Sequence, residues 1–213
     1  MVKGLIFGLD GTLLETSEDM RTAANGAMRD YGFPEYSLDE IKQKVGSGNL
    51  KLMERCLPEG EKHLASEALE HFKRHYAECY MDKTLPYEGL YEVVKECAER
   101  GLLLAVNTNK TNIYCENLIQ KNFPGIHFMR ILGNIDGYPT KPDPKGALEI
   151  LEEMGLEKEK VLYVGDSDVD MRTANNAQLP SVWVSWGYRT YDQVESEHPR
   201  YVIHSPEELL ELI

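Results

Sequence analysis

Short apolar runs that break abruptly into polar clusters set the strongest limit on how this chain can fold. Leu5-Ile6-Phe7 breaks into Gly8-Leu9-Asp10-Gly11-Thr12, Leu102 to Val106 into Asn107-Thr108-Asn109-Lys110, and Val161 to Val164 into Gly165-Asp166. Ser181 to Ser185 ends in Trp186-Gly187-Tyr188, and Tyr201-Val202-Ile203 precedes Ser205-Pro206-Glu207-Glu208, a helix start with proline in its first turn. Runs this short, bounded by breakers, suit strands buried on both faces. The segments between them repeat apolar residues at helical spacing, as in Ala147, Leu148, Leu151 and Met154. Alternating strands and helices predict an α/β fold, a Rossmann-like doubly wound parallel sheet. Such sheets bind ligands beyond the carboxyl ends of their strands, where these polar clusters would lie.

One region departs from the alternation. Met20, Ala23, Ala24, Ala27, Met28 and Tyr31 form a helical stripe closed by Gly32, and Thr16 with Asp19 has the spacing of a capping box. Ser37 with Glu40 repeats that spacing, and a longer helix carries Leu64, Ala68, Phe72, Tyr76 and Cys79 on one face. With no strand pattern in between, residues 15–83 are expected to form an all-helical cap inserted into a discontinuous core of residues 1–14 and 84–213.

Composition narrows the partners. Lys and Arg total 23 against 36 Asp and Glu, a formal charge of -13 that disfavours nucleic acid and anionic membrane surfaces. Cys56, Cys79, Cys97 and Cys115 are widely spaced and predict reduced thiols. The first strand follows Met1 almost at once, so the expectation is a cytoplasmic protein without a signal segment or membrane span. His71 and His75, four apart, supply half of a metal site with no third ligand in the local pattern, and read as ordinary helix residues. Trp183, Trp186 and Tyr188 read as strand and turn packing.

The strand ends supply Asp10, Thr108, Asp166 and Asp170, and the loop before the helix at Ala147 supplies Lys141. Each alone is most simply a cap or a solvated turn residue. Their order and spacing are specific. Leu9-Asp10-Gly11-Thr12-Leu13, Thr108, Lys141-Pro142-Asp143-Pro144 and Gly165-Asp166-Ser167 with Asp170 resemble the four motifs of the haloacid dehalogenase superfamily, in its phosphoglycolate-phosphatase-like branch, over nearly the whole chain. The one departure is Gly8, where the resemblance calls for the aspartate that attacks phosphorus and binds magnesium.

The resemblance implies a Mg2+-dependent phosphomonoesterase acting on a small phosphorylated metabolite through an aspartyl-phosphate, impaired here by Gly8. Asp10 would be general acid and then base, Thr108 and Lys141 would hold the phosphoryl oxygens, and Asn109, placed at the start of the next helix, would add a backbone amide. Asp10 through its carbonyl and Asp166 would hold the metal, with Asp170 either a further ligand or the holder of a metal-bound water, and the metal also offsets the repulsion between a phosphate and these carboxylates. Glycine at position 8 is expected to leave a hole. In the cap, Lys44, Gly46, Ser47 and Gly48 are the expected specificity segment, with a plain helix-to-helix turn as the alternative. Two other functions fit the same residues: a catalytically silent phosphate-binding or regulatory protein, and a phosphomutase or pyrophosphatase.

Overall fold

The computed structural model describes residues 1–213, which divide into two compact units, Met1–Leu14 with Pro86–Ile213, and Glu15–Leu85. Strands β1 (Gly4–Phe7), β4 (Leu103–Thr111), β5 (Arg130–Asn134), β6 (Val161–Gly165), β7 (Ser181–Val184) and β8 (Tyr201–Ile203) form the core sheet, while β2 (Leu14–Glu15) and β3 (Leu85–Pro86) lie where the chain leaves and rejoins the core. The sheet order is β5-β4-β1-β6-β7-β8, with every pairing parallel. Helices α5 (Leu90–Glu99), α6 (Asn112–Asn122), α7 (Lys145–Met154) and α8 (Asp168–Ala177) connect successive strands, with the short α9 (Tyr191–Val194) before β8.

This order explains where a site can form. From β1 the chain builds outward through β4 and β5, then returns to the other side of β1 and continues through β6, β7 and β8. The central strand is therefore the switch point at which a parallel sheet opens a crevice. All of β1 is buried, and so is all of β6, which is why both read as unbroken apolar runs. Full burial of Leu5, Ile6 and Phe7 contributes roughly 1.5–3 kcal/mol per side chain.

The second unit contains α1 (Ser17–Asp30), α2 (Leu38–Lys44), α3 (Asn49–Cys56) and α4 (Ala65–Cys79). Helices α1 and α4 run antiparallel, since Cys79 Sγ donates to the Asp19 carbonyl at one end and the His71 ring meets the Asp30 carboxylate at the other. Ala23, Ala24 and Ala27 keep the face of α1 low, and Phe72 and Tyr76 of α4 are fully buried. The Ser37–Glu40 capping box forms as expected. The one expected at Thr16 does not: Thr16 makes no capping bond, and Asp19 instead accepts from the amides of Lys83 and Thr84 and from the Thr84 hydroxyl at 2.7 Å. A carboxylate buried this deeply needs several donors, and the returning segment supplies more than one helix terminus could. His71 Nδ1 and His75 Nε2 both lie against Asp30 Oδ2, at 2.6 and 3.0 Å, so the pair forms a hydrogen-bonded cluster across α1 and α4.

Candidate active site

The loop after β1 is tightly organised. The Gly8 amide donates to the Val164 carbonyl of β6, and the Leu9 carbonyl accepts from the amides of Thr12, Leu13 and Leu14. Asp10 is thereby fixed at the carboxyl end of the central strand. Gly11, at φ +80°, passes so close to Asp166 that a Cβ there would lie 2.4 Å from its carboxylate, so both backbone sign and space require glycine. Thr12 turns inward and donates to Asp166 Oδ1 at 3.0 Å.

Position 8 is not the simple hole expected. A Cβ on Gly8 would lie 2.8 Å from Thr12 Oγ1 and 3.2 Å from Asp170 Oδ1, because the threonine side chain and Asp170 close in on that space. The backbone there has no positive φ, so the obstacle to a side chain is the Thr12 hydroxyl, which would have to move and which also bonds Asp166.

The carboxyl end of β6 brings in the acidic pair. Asp170 closes a capping box with Ser167 at the start of α8, accepting from the Ser167 hydroxyl at 2.6 Å. Its other oxygen accepts from the Lys141 ammonium at 2.6 Å, an ion pair with both side chains almost completely enclosed. Burial would pull Lys141 down, but the charge of Asp170 outweighs it and holds the ammonium above its ordinary value. Asp166 accepts from the Tyr188 amide at 2.8 Å as well as from Thr12. Desolvation first, then repulsion by Asp170, push its carboxyl well above the usual range.

Strand β4 corrects an expectation. It runs on through the polar cluster to Thr111, with an irregular register against β5 between Asn107 and Thr111, and α6 begins only at Asn112. Asn109 therefore lies before the helix start, and its amide gains nothing from a helix N-terminus. Its side chain instead brackets Lys141, donating to the Lys141 carbonyl at 3.0 Å and accepting from the Lys141 amide at 2.8 Å. Thr108 is buried beside it and accepts from the Lys110 amide at 3.1 Å. Lys110 is the residue the sequence did not point to: its side chain is 1% exposed and its ammonium donates to Asp10 Oδ1 at 2.9 Å. Trp183 and Trp186 also exceed packing, donating through Nε1 to the carbonyls of Asp166 and Thr12. Trp186 lies just past the end of β7, and Trp183 lies within it.

Gly8, Asp10, Thr108, Asn109, Lys141, Asp166 and Asp170 all belong to the core unit, where Asn109 and Asp170 meet Lys141, and Asp10 and Thr108 meet Lys110. Lys44, Gly46, Ser47 and Gly48 belong to the helical unit, between α2 and α3, where Arg55 donates to the Lys44 carbonyl and the Ser47 hydroxyl and Lys44 sits over the Tyr36 ring.

The donor chemistry suits a hard divalent cation in part. Two buried carboxylates repelling one another are what such an ion would relieve, and carboxylate and carbonyl oxygens are its preferred ligands. Gly8 supplies no side chain, and no three His, Cys, Asp or Glu side chains converge as a ready-made metal group.

The parallel α/β sheet thus gathers carboxylates, lysines and a threonine at the ends of its central strands. Residues 5–184 match the haloacid dehalogenase-like hydrolase family, and the chain belongs to it. It is 30% identical over 210 residues to the phosphoglycolate phosphatase of Aquifex aeolicus, covering 98% of this chain and 95% of that protein. The phosphoglycolate phosphatase of Vibrio vulnificus (strain CMCP6) is also 30% identical, across 100% of this chain and 96% of its own. A protein provisionally named phosphoglycolate phosphatase from Lactobacillus delbrueckii subsp. bulgaricus, known from a crystal structure, superposes with a TM-score of 0.89 at 29% identity, covering 99% and 98% of the two chains. The chain is thus a phosphoglycolate-phosphatase-like hydrolase, an enzyme by family. No helix is long and apolar enough to cross a membrane.

Proposed function

We propose that this chain carries the site of a Mg2+-dependent phosphomonoesterase for a small phosphorylated metabolite, assembled except for its phosphoryl acceptor. The observation that carries this is that the core unit brings Asp10 against Lys110, Thr108 against the Lys110 amide, Lys141 against Asp170 and Asp166 against Thr12, with Thr12 and Asp170 both beside residue 8. Lys141 and the Thr108 hydroxyl would hold the phosphoryl oxygens, with Asn109 fixing Lys141 from behind. Asp10 would give its proton to the departing ester oxygen and later take one from water. Magnesium, held by Asp166, Asp170 and the Asp10 carbonyl, would supply positive charge against the phosphoryl oxygens. The helical unit would act as the cap, with Lys44, Gly46, Ser47 and Gly48 setting the choice of ester. Cytoplasmic residence fits the reduced state of all four cysteines, which are free and buried.

Without a carboxylate at position 8 the phosphoryl group has no acceptor, and only direct attack by water remains. Removing such a nucleophile costs several powers of ten in rate elsewhere. The test is phosphate release from a panel of esters that includes phosphoglycolate, with magnesium, for the chain and for Gly8→Asp. The variant is expected to turn over at least one ester, and the parent to be slower by about 1,000-fold or more. A parent working at ordinary enzymatic rates, a median of about 10 per second, would contradict the proposal. So would a folded Gly8→Asp variant with no gain on any ester. Gly8 itself supports a second function, a silent phosphate-binding protein. Inorganic phosphate binding by the parent, with no turnover by either chain, would favour it.

A further inference from the structure

We propose that Lys110 is a positioning residue for Asp10, holding its carboxyl toward the departing ester oxygen; this rests on Asp10 acting as the acid–base group. Three observations carry it. The Lys110 side chain is 1% exposed, so its ammonium has been taken out of water, which a lysine tolerates only against a partner. That partner is Asp10 Oδ1 at 2.9 Å, a residue 100 positions earlier, on the neighbouring strand's loop. The irregular register of β4 against β5 spans Asn107 to Thr111, the stretch that carries Lys110, and such irregularities serve to re-aim side chains beside active sites.

Lys110 also differs from Lys141. Lys141 pairs with Asp170, next to the phosphoryl and metal side of the site, whereas Lys110 faces the carboxyl assigned to the leaving group. In the first step the P–O bond to the leaving oxygen breaks as that oxygen takes the proton of Asp10, and the phosphoryl group passes to the acceptor carboxylate. Lys110 holds Asp10 Oδ1 at 2.9 Å, which fixes the direction of the carboxyl through this step. In the second step Asp10 takes the proton of the attacking water. A lysine that only tied two strands together would have no stake in which ester is cleaved. One that serves Asp10 has a large stake in poor leaving groups, which need the proton, and little in good ones.

The experiment uses the full chain with Gly8→Asp and magnesium, on glycerol phosphate (a poor leaving group) and 4-nitrophenyl phosphate (a good one). Adding Lys110→Met is expected to lower kcat on the alkyl ester by about 100-fold, with KM nearly unchanged, and to cost the aryl ester less than about fivefold. Lys110→Arg should recover part of the alkyl rate. Equal losses on both esters, or no loss on either, would overturn the proposal while leaving the site intact. If Gly8→Asp alone cleaves neither ester, the assignment of Asp10 fails and the proposal falls with it. Should Lys110→Met not fold, Lys110→Gln keeps a donor without the charge and must show the same selective loss.

Discussion

The core unit encloses two of its ion pairs, and the helical unit leaves its own at least partly at the surface. Lys110–Asp10 and Lys141–Asp170 have side-chain exposures of 1%/12% and 8%/4%, against 55%/48% for Arg29–Glu35 in the helical unit. Enclosed pairs rarely improve stability over well-packed apolar residues, since desolvation offsets their attraction. Two such pairs beside an acidic residue already pushed toward neutrality are best understood as chemistry held in place at the expense of stability. The exposed pairs are the ordinary surface kind, each worth little. Asp19 is the exception that clarifies the rule: it is a buried carboxylate in the helical unit, yet amides and a hydroxyl satisfy it without any opposite charge. Burial of charge for structure and burial of charge for reaction thus look different in their partners.

That contrast can be broken by experiment. Lys141→Met leaves Asp170 enclosed without its counter-charge, and urea denaturation of the metal-free chain should show a loss of about 3–5 kcal/mol. A loss below about 1 kcal/mol would mean that the pair is solvated after all. Asp19→Ala strips the donors of Lys83 and Thr84 of their acceptor and should cost about 1–3 kcal/mol by the same measurement. Magnesium comes next. Calorimetry should show weak binding, since position 8 offers no carboxylate, and magnesium at ten times its dissociation constant should add about 1.4 kcal/mol and raise the melting temperature by a few degrees. Micromolar binding that survives Asp166→Asn would place the metal elsewhere.

The smallest effect is expected at Asp30. Hydrogen bonds from His71 and His75 hold its carboxyl below the ordinary range, so its stabilising contribution is complete above an unfolded value near 3.9 and is lost as pH falls through the lower folded value. Because the cluster is partly exposed, screening should keep the effect under about 1 kcal/mol. Stability measured from about pH 5 downward should therefore fall slightly more for the parent than for Asp30→Asn. Equal slopes would show that the histidines do not favour the ionised carboxylate.

How much of this could be seen in the sequence follows from distance along the chain. The sheet was legible because buried parallel strands must be apolar throughout, and the Ser37–Glu40 and Ser205–Glu208 caps because both partners lie within one turn. Asp10, Thr108 and Asp166 stood out because strand ends announce themselves by a break from apolar to polar, and Lys141 and Asp170 only through the order and spacing of the motifs. Lys110 was not: nothing local separates it from Asn107 or Asn109, and its partner is 100 residues away. Asp19 misled for the same reason, because its spacing from Thr16 suits a cap while its true donors lie at Lys83 and Thr84. The hole expected at Gly8 missed Thr12, whose inward turn depends on Asp166.

The central claim is that the site lacks its acceptor carboxylate and little else. Fluorine NMR of beryllium fluoride with magnesium tests it without any knowledge of the substrate, since the adduct forms on a carboxylate that can accept a phosphoryl group. The Gly8→Asp chain should give protein-bound fluoride resonances that vanish when magnesium is chelated, and the parent should give none. The same bound signal in the parent, or its absence from a folded Gly8→Asp chain, would contradict the account.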